Sequence, residues 1–395
     1  MIKVLLIPSW HPCPKQQYAG KFFIEQAEAL AEKGLAEISI LDWGQNEFQL
    51  TVRKPLQSLG KFVHYLAAKP TITVIGKNLT RIRIPHLSWT SLLLSGNIDA
   101  LLSKINLSDK PDIIHAHVTF PAGYIAWKLS EKLGIPFIIT EHSGPFPFPE
   151  YVTRKGISPL LSEPLRAASR VLAVSSHLSQ QIQACIGIDA KVIPNMVNTD
   201  FFQFQQKPER IDGLYGKDHL KLFALSALST AKGAWELVQS MKQLKDSGQD
   251  FHLYWGGDGS LRSKLHKRIT DLHLQHNVLF LGQLSPEQTL RQYQNCEIFV
   301  MPSRIESFSM VLIEAMACGK PVVATNCGGP ADIVRDFCGR LVPVQNPQAF
   351  ASAISEIAKN LGSYKPAEIR DYCVTQFGQD LVCQEITTIY AECLR

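Results

Sequence analysis

The sequence predicts an α/β protein of two domains, each built on a doubly wound parallel sheet. Three observations carry that expectation. The chain has 395 residues, more than one hydrophobic core normally serves and natural for two. Short continuous apolar runs recur along it, as expected of strands buried on both faces. Helix-period text separates nearly all of these runs, and that alternation is how parallel sheets covered by helices are built.

In the first half, "KVLLIPS", "EISILDW", "DIIHAH", "FIITEH", "RVLAVSS" and "KVIPN" read as strands. The opening "MIKVLLIPSW" is too short and too closely bounded by proline for a signal peptide, so it reads as a first buried strand. "FFIEQAEALAEKG", "AGYIAWKLSEKLG" and "SQQIQACIG" read as helices, two of them closed by glycine just past the last turn. Polar, Pro-containing text at 198–219 reads as a linker. A second series follows: "LKLFALSAL", "FHLYWGG", "NVLFLG", "EIFVMPS", "PVVATNC" and "RLVPV" as strands, with helical text such as "AWELVQSMKQLKDSG" and "SPEQTLRQYQNC" between them. The tail from Lys365 is helical in pattern. The expected domains are 1–200, rejoined by a C-terminal helix at 378–395, and 201–377.

Composition narrows the class. Apolar residues make up 45% and charged residues 19%, a globular balance. No apolar run is long enough to cross a bilayer. Nine cysteines occur without a C-x-x-C pair, so free thiols in a reducing cytoplasm are expected rather than disulfides or a zinc site. The net charge of +5 is modest, and no nucleic-acid motif accompanies it. No G-x-G-x-x-G follows the first strand, which argues against a nicotinamide dehydrogenase.

In open parallel sheets, ligands sit beyond the carboxyl ends of the strands, and this sequence puts its unusual residues there. Ser229–Gly233, with Lys232, follows "FALSAL"; Gly256–Gly259 follows "HLYW"; Gly282 closes "NVLFLG". Arg304, Glu306 and Ser307 follow "IFVMPS", and Asn326, Gly328 and Gly329 follow "VVAT". A helix starting near Ser309 would offer unpaired N–H groups and a positive dipole end, suited to phosphate. Lys232 is a mobile point charge for the same phosphate. Glu314, set among Leu, Ile, Ala and Met, needs a partner because a buried lone carboxylate is costly. An arginine and a ligand diol are its candidate partners. Each residue alone also has a plain reading: Glu306 as a surface acid, Lys232 as a solvated cation.

"ESFSMVLIEAMACGKPVVATNCGG" resembles the E-x7-E signature of retaining glycosyltransferase family 4, and "KVIPNMVNTDFF", "KGAWELV", "GGDGSLRSKL", "NVLFLGQL" and "EIFVMPS" follow that family's order. The resemblance runs over the whole chain. It implies the GT-B architecture: two Rossmann-like doubly wound domains facing across an interdomain cleft. It further implies a metal-independent retaining transfer, without a cofactor, from a nucleoside-diphosphate sugar, a UDP-sugar foremost, to a hydroxyl of a glycan or lipid-linked acceptor. Surface polysaccharide, lipopolysaccharide or glycolipid synthesis is the implied setting. Glu306 should meet hydroxyls of the donor sugar and Glu314 the ribose diol. Lys232 and the backbone N–H groups of Ser307, Phe308, Ser309 and Met310 should hold the diphosphate, with Gly257 in the same donor-binding set. Main chain at Gly282–Leu284 should meet the base, and Gly20 should allow close approach to the phosphates. His117 resembles the family histidine beside the reacting sugar. As alternate strand residues His115 and His117 share a face, and a hydrogen-bonded strand histidine is the plain reading of either.

Two departures stand out. Where the family has an arginine ahead of the lysine, this chain has Ala227, and the family's G-F-G is Ser307–Phe308–Ser309. Those hydroxyls would bind the ligand or cap the helix. Another GT-B enzyme such as a nucleotide-sugar epimerase, or a non-catalytic sugar-nucleotide-binding subunit, are the rival readings. On the acceptor side, residues 48–98 contain no acid but hold Arg53, Lys54, Lys61, Lys69, Lys77, Arg81 and Arg83. Segment 53–83 is a candidate for peripheral contact with an anionic membrane at the inner face, or simply a solvated basic face. "SGPFPFPEY" offers Phe146 and Phe148 either to stack on an acceptor sugar or to plug the domain.

Overall fold

The computed structural model describes residues 1–11, 20–43, 48–50, 54–85, 87–89, 105, 110–154, 156–206 and 219–395. Most of the expected linker, 207–218, and Arg53 of the basic segment lie outside these. The chain folds as two units: Met1–Val174, Leu178–Ile193 and Val382–Arg395 form the first domain, and Ser175–His177 with Pro194–Leu381 the second.

The first domain contains β1 (Ile2–Pro8), β2 (Ala36–Asp42), β3 (Phe48–Leu50), β4 (Thr71–Gly76), β5 (Leu79–Arg83), β6 (Leu87–Trp89), β7 (Ile113–His117), β8 (Phe137–Glu141), β9 (Val152–Thr153), β10 (Gly156–Ile157), β11 (Arg170–Ala173) and β12 (Lys191–Val192). Its helices are α1 (Lys21–Glu32), α2 (Pro55–Ala67), α3 (Tyr124–Leu133), α4 (Pro159–Ala167) and α5 (Ser176–Ile186). Eight strands make the main sheet in the order β12-β11-β8-β7-β1-β2-β5-β4. The edge pair β4–β5 is antiparallel and the other pairings are parallel. β1, β7 and β8 are almost wholly buried, which is why they read as unbroken apolar runs.

The second domain contains β13 (Leu220–Leu225), β14 (Phe251–Gly256), β15 (Val278–Gly282), β16 (Ile298–Met301), β17 (Val322–Thr325) and β18 (Gly339–Val342). Its helices are α6 (Ala234–Asp246), α7 (Arg262–Asp271), α8 (Pro286–Asn295), α9 (Met310–Ala317), α10 (Pro330–Ile333), α11 (Pro347–Lys359) and α12 (Pro366–Phe377); α13 (Gln379–Cys393) ends in the first domain. The sheet runs β15-β14-β13-β16-β17-β18, all parallel. Counted from its first strand this is 3-2-1-4-5-6, the dinucleotide-fold order, whose chain reversal lies between β13 and β16. The first domain repeats the device, with its reversal between β1 and β7. Both reversals point to the strand ends where ligands bind.

Local chemistry fixes the helix starts. Ser285 and Gln288 form a reciprocal capping box on α8 behind Pro286. α6 starts from Gly233 at φ +68°, where a Cβ would lie 1.8 Å from the Pro302 carbonyl oxygen. Only glycine lets the β13 and β16 exits approach so closely. Among the described residues, no helix is long and apolar enough to cross a membrane.

Candidate active site

At the chain reversal of the second domain, the loop after β13 delivers Lys232 and the loop after β16 delivers Glu306. Lys232 Nζ lies 2.7 Å from Glu306 Oε1, and the Ser303 hydroxyl donates to the same oxygen at 2.8 Å. The side chains are 35% and 15% exposed, so neither is the solvated surface charge that each could have been in isolation. Such a half-exposed pair adds only about 0–1 kcal/mol to stability; its effect is to hold an ammonium and a carboxylate side by side. The neighbouring Arg304 is engaged elsewhere, its Nε donating to Glu236 Oε1 at 2.9 Å.

The backbone of Glu306 is fixed from β17. Its N–H donates to Cys327 O, and Gly329 N–H donates to its carbonyl. A Cβ at Gly329 would fall 2.4 Å from the Phe308 Cα. The two glycines of "CGG" therefore exist to let this loop press against the chain carrying Glu306. Phe308 is buried against Phe377, so any ligand contact there is made by its main chain. Ser309 adopts φ +139°, a conformation natural to glycine, and glycine is what the family pattern carries there. Its hydroxyl donates to Met301 Sδ at 3.0 Å and does not cap α9. Of the two roles open to the Ser309 hydroxyl, helix capping is therefore not the one it takes. α9 begins with no side-chain cap, and its first N–H groups keep the anion-binding character of a helix start.

Glu314, on α9, is half-buried. The hydroxyl of Tyr293 on α8 donates to Glu314 Oε2 at 2.8 Å. Tyr293, reaching over from another helix, is thus one partner of this carboxylate. Burial, then the charge of Glu314, pushes the Tyr293 phenol well above its ordinary range. Gly257 and Gly282 meet at the ends of β14 and β15, where Gly257 N–H donates to Gly282 O at 2.7 Å. A Cβ on Gly257 would lie 2.0 Å from Ser226 O, so this loop is packed directly on the β13 exit. Ala227 is exposed.

At the reversal of the first domain, β7 ends in His117 and the helix after β1 starts at Gly20. Gly20 has φ +71°, and a Cβ there would lie 2.3 Å from Trp10 O. His115 and His117 do share a face, with rings 4.3 Å apart, but their chemistry differs. His115 is committed on both nitrogens, to Tyr390 Oη and Thr140 Oγ1, each at 2.7 Å; it is a structural histidine. His117 Nδ1 shares a proton with His142 Nε2 at 3.0 Å. Its Nε2 is buried and has no hydrogen-bond partner among the described residues, an arrangement that is expensive unless a further partner fills it. Burial lowers the His115 pKa to about 3. His117 is held well below the normal range by burial, then by His115 and His142. Both rings are neutral near pH 7.

Sequence reasoning missed three supporting groups here. His142 was visible only as the last letter of "FIITEH". Glu141 is buried and accepts from the backbone N–H of Thr119, His142 and Ser143 at 2.9, 2.9 and 2.8 Å. It thereby ties both loops that carry the histidines. Between them Val118 sits at φ +74°, a strained state for a β-branched residue that surrounding bonds must enforce. Phe146 is buried and so plugs the domain, while Phe148 is partly exposed.

Two Rossmann-like domains, the second carrying a lysine, two glutamates and an uncapped helix start at its reversal point, define the GT-B class of glycosyltransferases. The chain belongs to glycosyltransferase family 4 of the glycosyl transferases group 1: the "Glycosyltransferase Family 4" model matches residues 21–201 and the "Glycosyl transferases group 1" model residues 205–372. An uncharacterized glycosyltransferase of Methanocaldococcus jannaschii is 29% identical over 288 residues, 72% of this chain and 76% of that one. Among solved structures, sucrose-phosphate synthase of Thermosynechococcus elongatus matches with a TM-score of 0.77 at 18% identity, over 99% of both chains. The Anabaena protein HepE in complex with UDP-glucose matches with a TM-score of 0.69 at 18% identity, over 99% of this chain and 100% of that one.

Proposed function

We propose that this glycosyltransferase moves a sugar from a UDP-sugar to a hydroxyl of a glycan or lipid-linked acceptor, with retention and without a metal. The observation that carries the reading is the Lys232–Glu306 pair beside the uncapped start of α9. In this reading the bond between the anomeric carbon and the diphosphate oxygen breaks, and the acceptor oxygen bonds to that carbon on the same face. The acceptor proton passes to the departing diphosphate. Charge grows on that leaving group, so its stabilisation dominates the rate. Lys232 and the N–H groups at Ser307–Met310 supply it. Glu306 orients the sugar hydroxyls, Glu314 the ribose diol, and the Gly282 main chain the base, with Gly257 shaping the loop beside it. His117 Nε2 is assigned to the reacting sugar and Gly20 to close phosphate approach.

The UDP preference is supported by the UDP-glucose complex of a protein with the same fold. A cytoplasmic enzyme of surface polysaccharide, lipopolysaccharide or glycolipid synthesis, meeting an anionic membrane through segment 53–83, completes the reading. Transfer assayed with a panel of UDP-sugars and glycan acceptors tests it. Glu314→Ala and Lys232→Ala should each lose most transfer, and normal turnover in both rejects these roles.

A further inference from the structure

Helix α2 is mounted with its apolar face outward. Leu56, Leu59, Phe62, Val63 and Leu66 fall within an arc of about 120° at 100° per residue, the stripe that a globular protein normally buries. None of the thirteen residues of α2 is buried. Leu56, Leu59, Val63 and Leu66 are 85%, 60%, 58% and 67% exposed. The half-buried positions are Ser58, Lys61 and Tyr65, at i, i+3 and i+7 on the opposite, polar side. The helix therefore rests on its polar face. The next element in the chain repeats the choice: every residue of edge strand β4 is exposed, including Ile72 and Val74.

Charge selects the occupant. Lys54 at the start of α2, Lys69 between α2 and β4, and Lys77 in the β4–β5 turn are all exposed, and no acid occurs between residues 48 and 98. Arg81 is already bound to Asp42. An apolar helix face flanked by lysines is the arrangement that lies in a lipid headgroup layer of negative charge. An apolar protein partner would account for the leucines but not for the one-signed rim.

We infer that α2 lies in the plane of an anionic membrane with Leu56, Leu59, Val63 and Leu66 inserted, held by Lys54, Lys69 and Lys77. This deepens the membrane contact of the proposed function and rests on that part of it alone. Flotation with phosphatidylcholine vesicles, with and without phosphatidylglycerol, tests it on the full chain. The wild type should float only with phosphatidylglycerol. Leu56→Gln/Leu59→Gln/Leu66→Gln should weaken binding by about tenfold or more, and each Lys→Gln at 54, 69 or 77 by about fivefold. Because these side chains are exposed, the melting temperature should stay unchanged. A Phe62→Trp probe should shift to the blue on anionic vesicles. Absence of wild-type flotation, or equal flotation of the leucine variant, overturns the inference. So does a wild-type dimer in light scattering that the leucine changes dissolve, since a second copy would then cover the face. Sugar transfer is not read in this experiment, so failure here leaves the donor site standing, and failure of the transfer assay leaves this result standing.

Discussion

The two domains place the same backbone device at their chain reversals and equip it with opposite chemistry. In the second domain, β13 and β16 lead to an ammonium, a carboxylate and a bare helix start. In the first, β7 ends on the neutral imidazole of His117, and both it and His142, which follows β8, pack on Phe23, whose ring lies 4.8 Å from His117 and 5.0 Å from His142. One end manages charge and the other holds a proton in apolar surroundings. Topology thus chooses where a site forms, and the residues after the strands choose what it does. The partners follow the same division. Glu306 is held by charge, while His117 is held by ring packing and by the Glu141 clamp on its loop.

Disabling the charged end should have the largest effect. Glu306→Gln keeps the shape and the Ser303 contact but removes the counter-charge of Lys232. Transfer should fall by about a hundredfold or more, as for loss of a preorganised electrostatic contact, with little change in melting temperature. A variant that melts normally and turns over normally would make the pair a surface ornament.

The imidazole end comes next. His117→Asn should lower transfer by about a hundredfold, as for loss of one preorganised polar contact to the reacting sugar. His115→Asn should act instead on stability, because its ring bridges Tyr390 and Thr140. If the two variants lose activity in parallel with their melting temperatures, the histidine face has one structural job and the distinction between them fails.

A smaller and graded effect should appear on acidification. His115 has a folded pKa of about 3 against 6.5 in an open chain, and His117 is displaced in the same direction. Between those values the unfolded chain binds a proton that the folded chain refuses. The associated stability is therefore complete above about pH 6.5 and drains as pH falls toward 3. Each histidine contributes a slope of up to about 1.4 kcal/mol per pH unit. Urea unfolding at pH 7.5 and 5.5 should show this loss, and His117→Asn should shrink it; identical slopes would assign the acid sensitivity elsewhere.

The alternating strands, the Lys232 loop and the Glu306–Glu314 helix were legible because each is a local pattern: an apolar run, a glycine, a polar residue at a strand end. Even the Lys232–Glu306 contact, across 74 positions, follows once both are put at the carboxyl ends of adjacent strands. What escaped depends on side chains reaching between elements. Tyr293 reaches Glu314 from another helix, and Glu141 collects N–H groups from two loops; no periodicity announces either. The 48–98 segment showed its charge but not its orientation. Amphipathic spacing tells that a helix has two faces, and only packing tells which one is turned inward.

The finest test concerns one position within the charged end. Ser309 stands at φ +139° and ψ 96°, where a Cβ is crowded and glycine is free. Its hydroxyl compensates only with a contact to Met301 Sδ, a weak acceptor. Ser309→Gly should relieve the crowding and lose little in exchange. Against it stands the greater freedom of glycine in the unfolded chain, worth about 0.4–1 kcal/mol. Strain of about 1–3 kcal/mol at such a residue outweighs that cost, so a net gain of about 1 kcal/mol in urea unfolding is expected. Because the start of α9 keeps its N–H groups in either case, transfer should remain within about twofold of wild type. A loss of stability would mean that the Met301 contact, and not backbone relief, decides this turn.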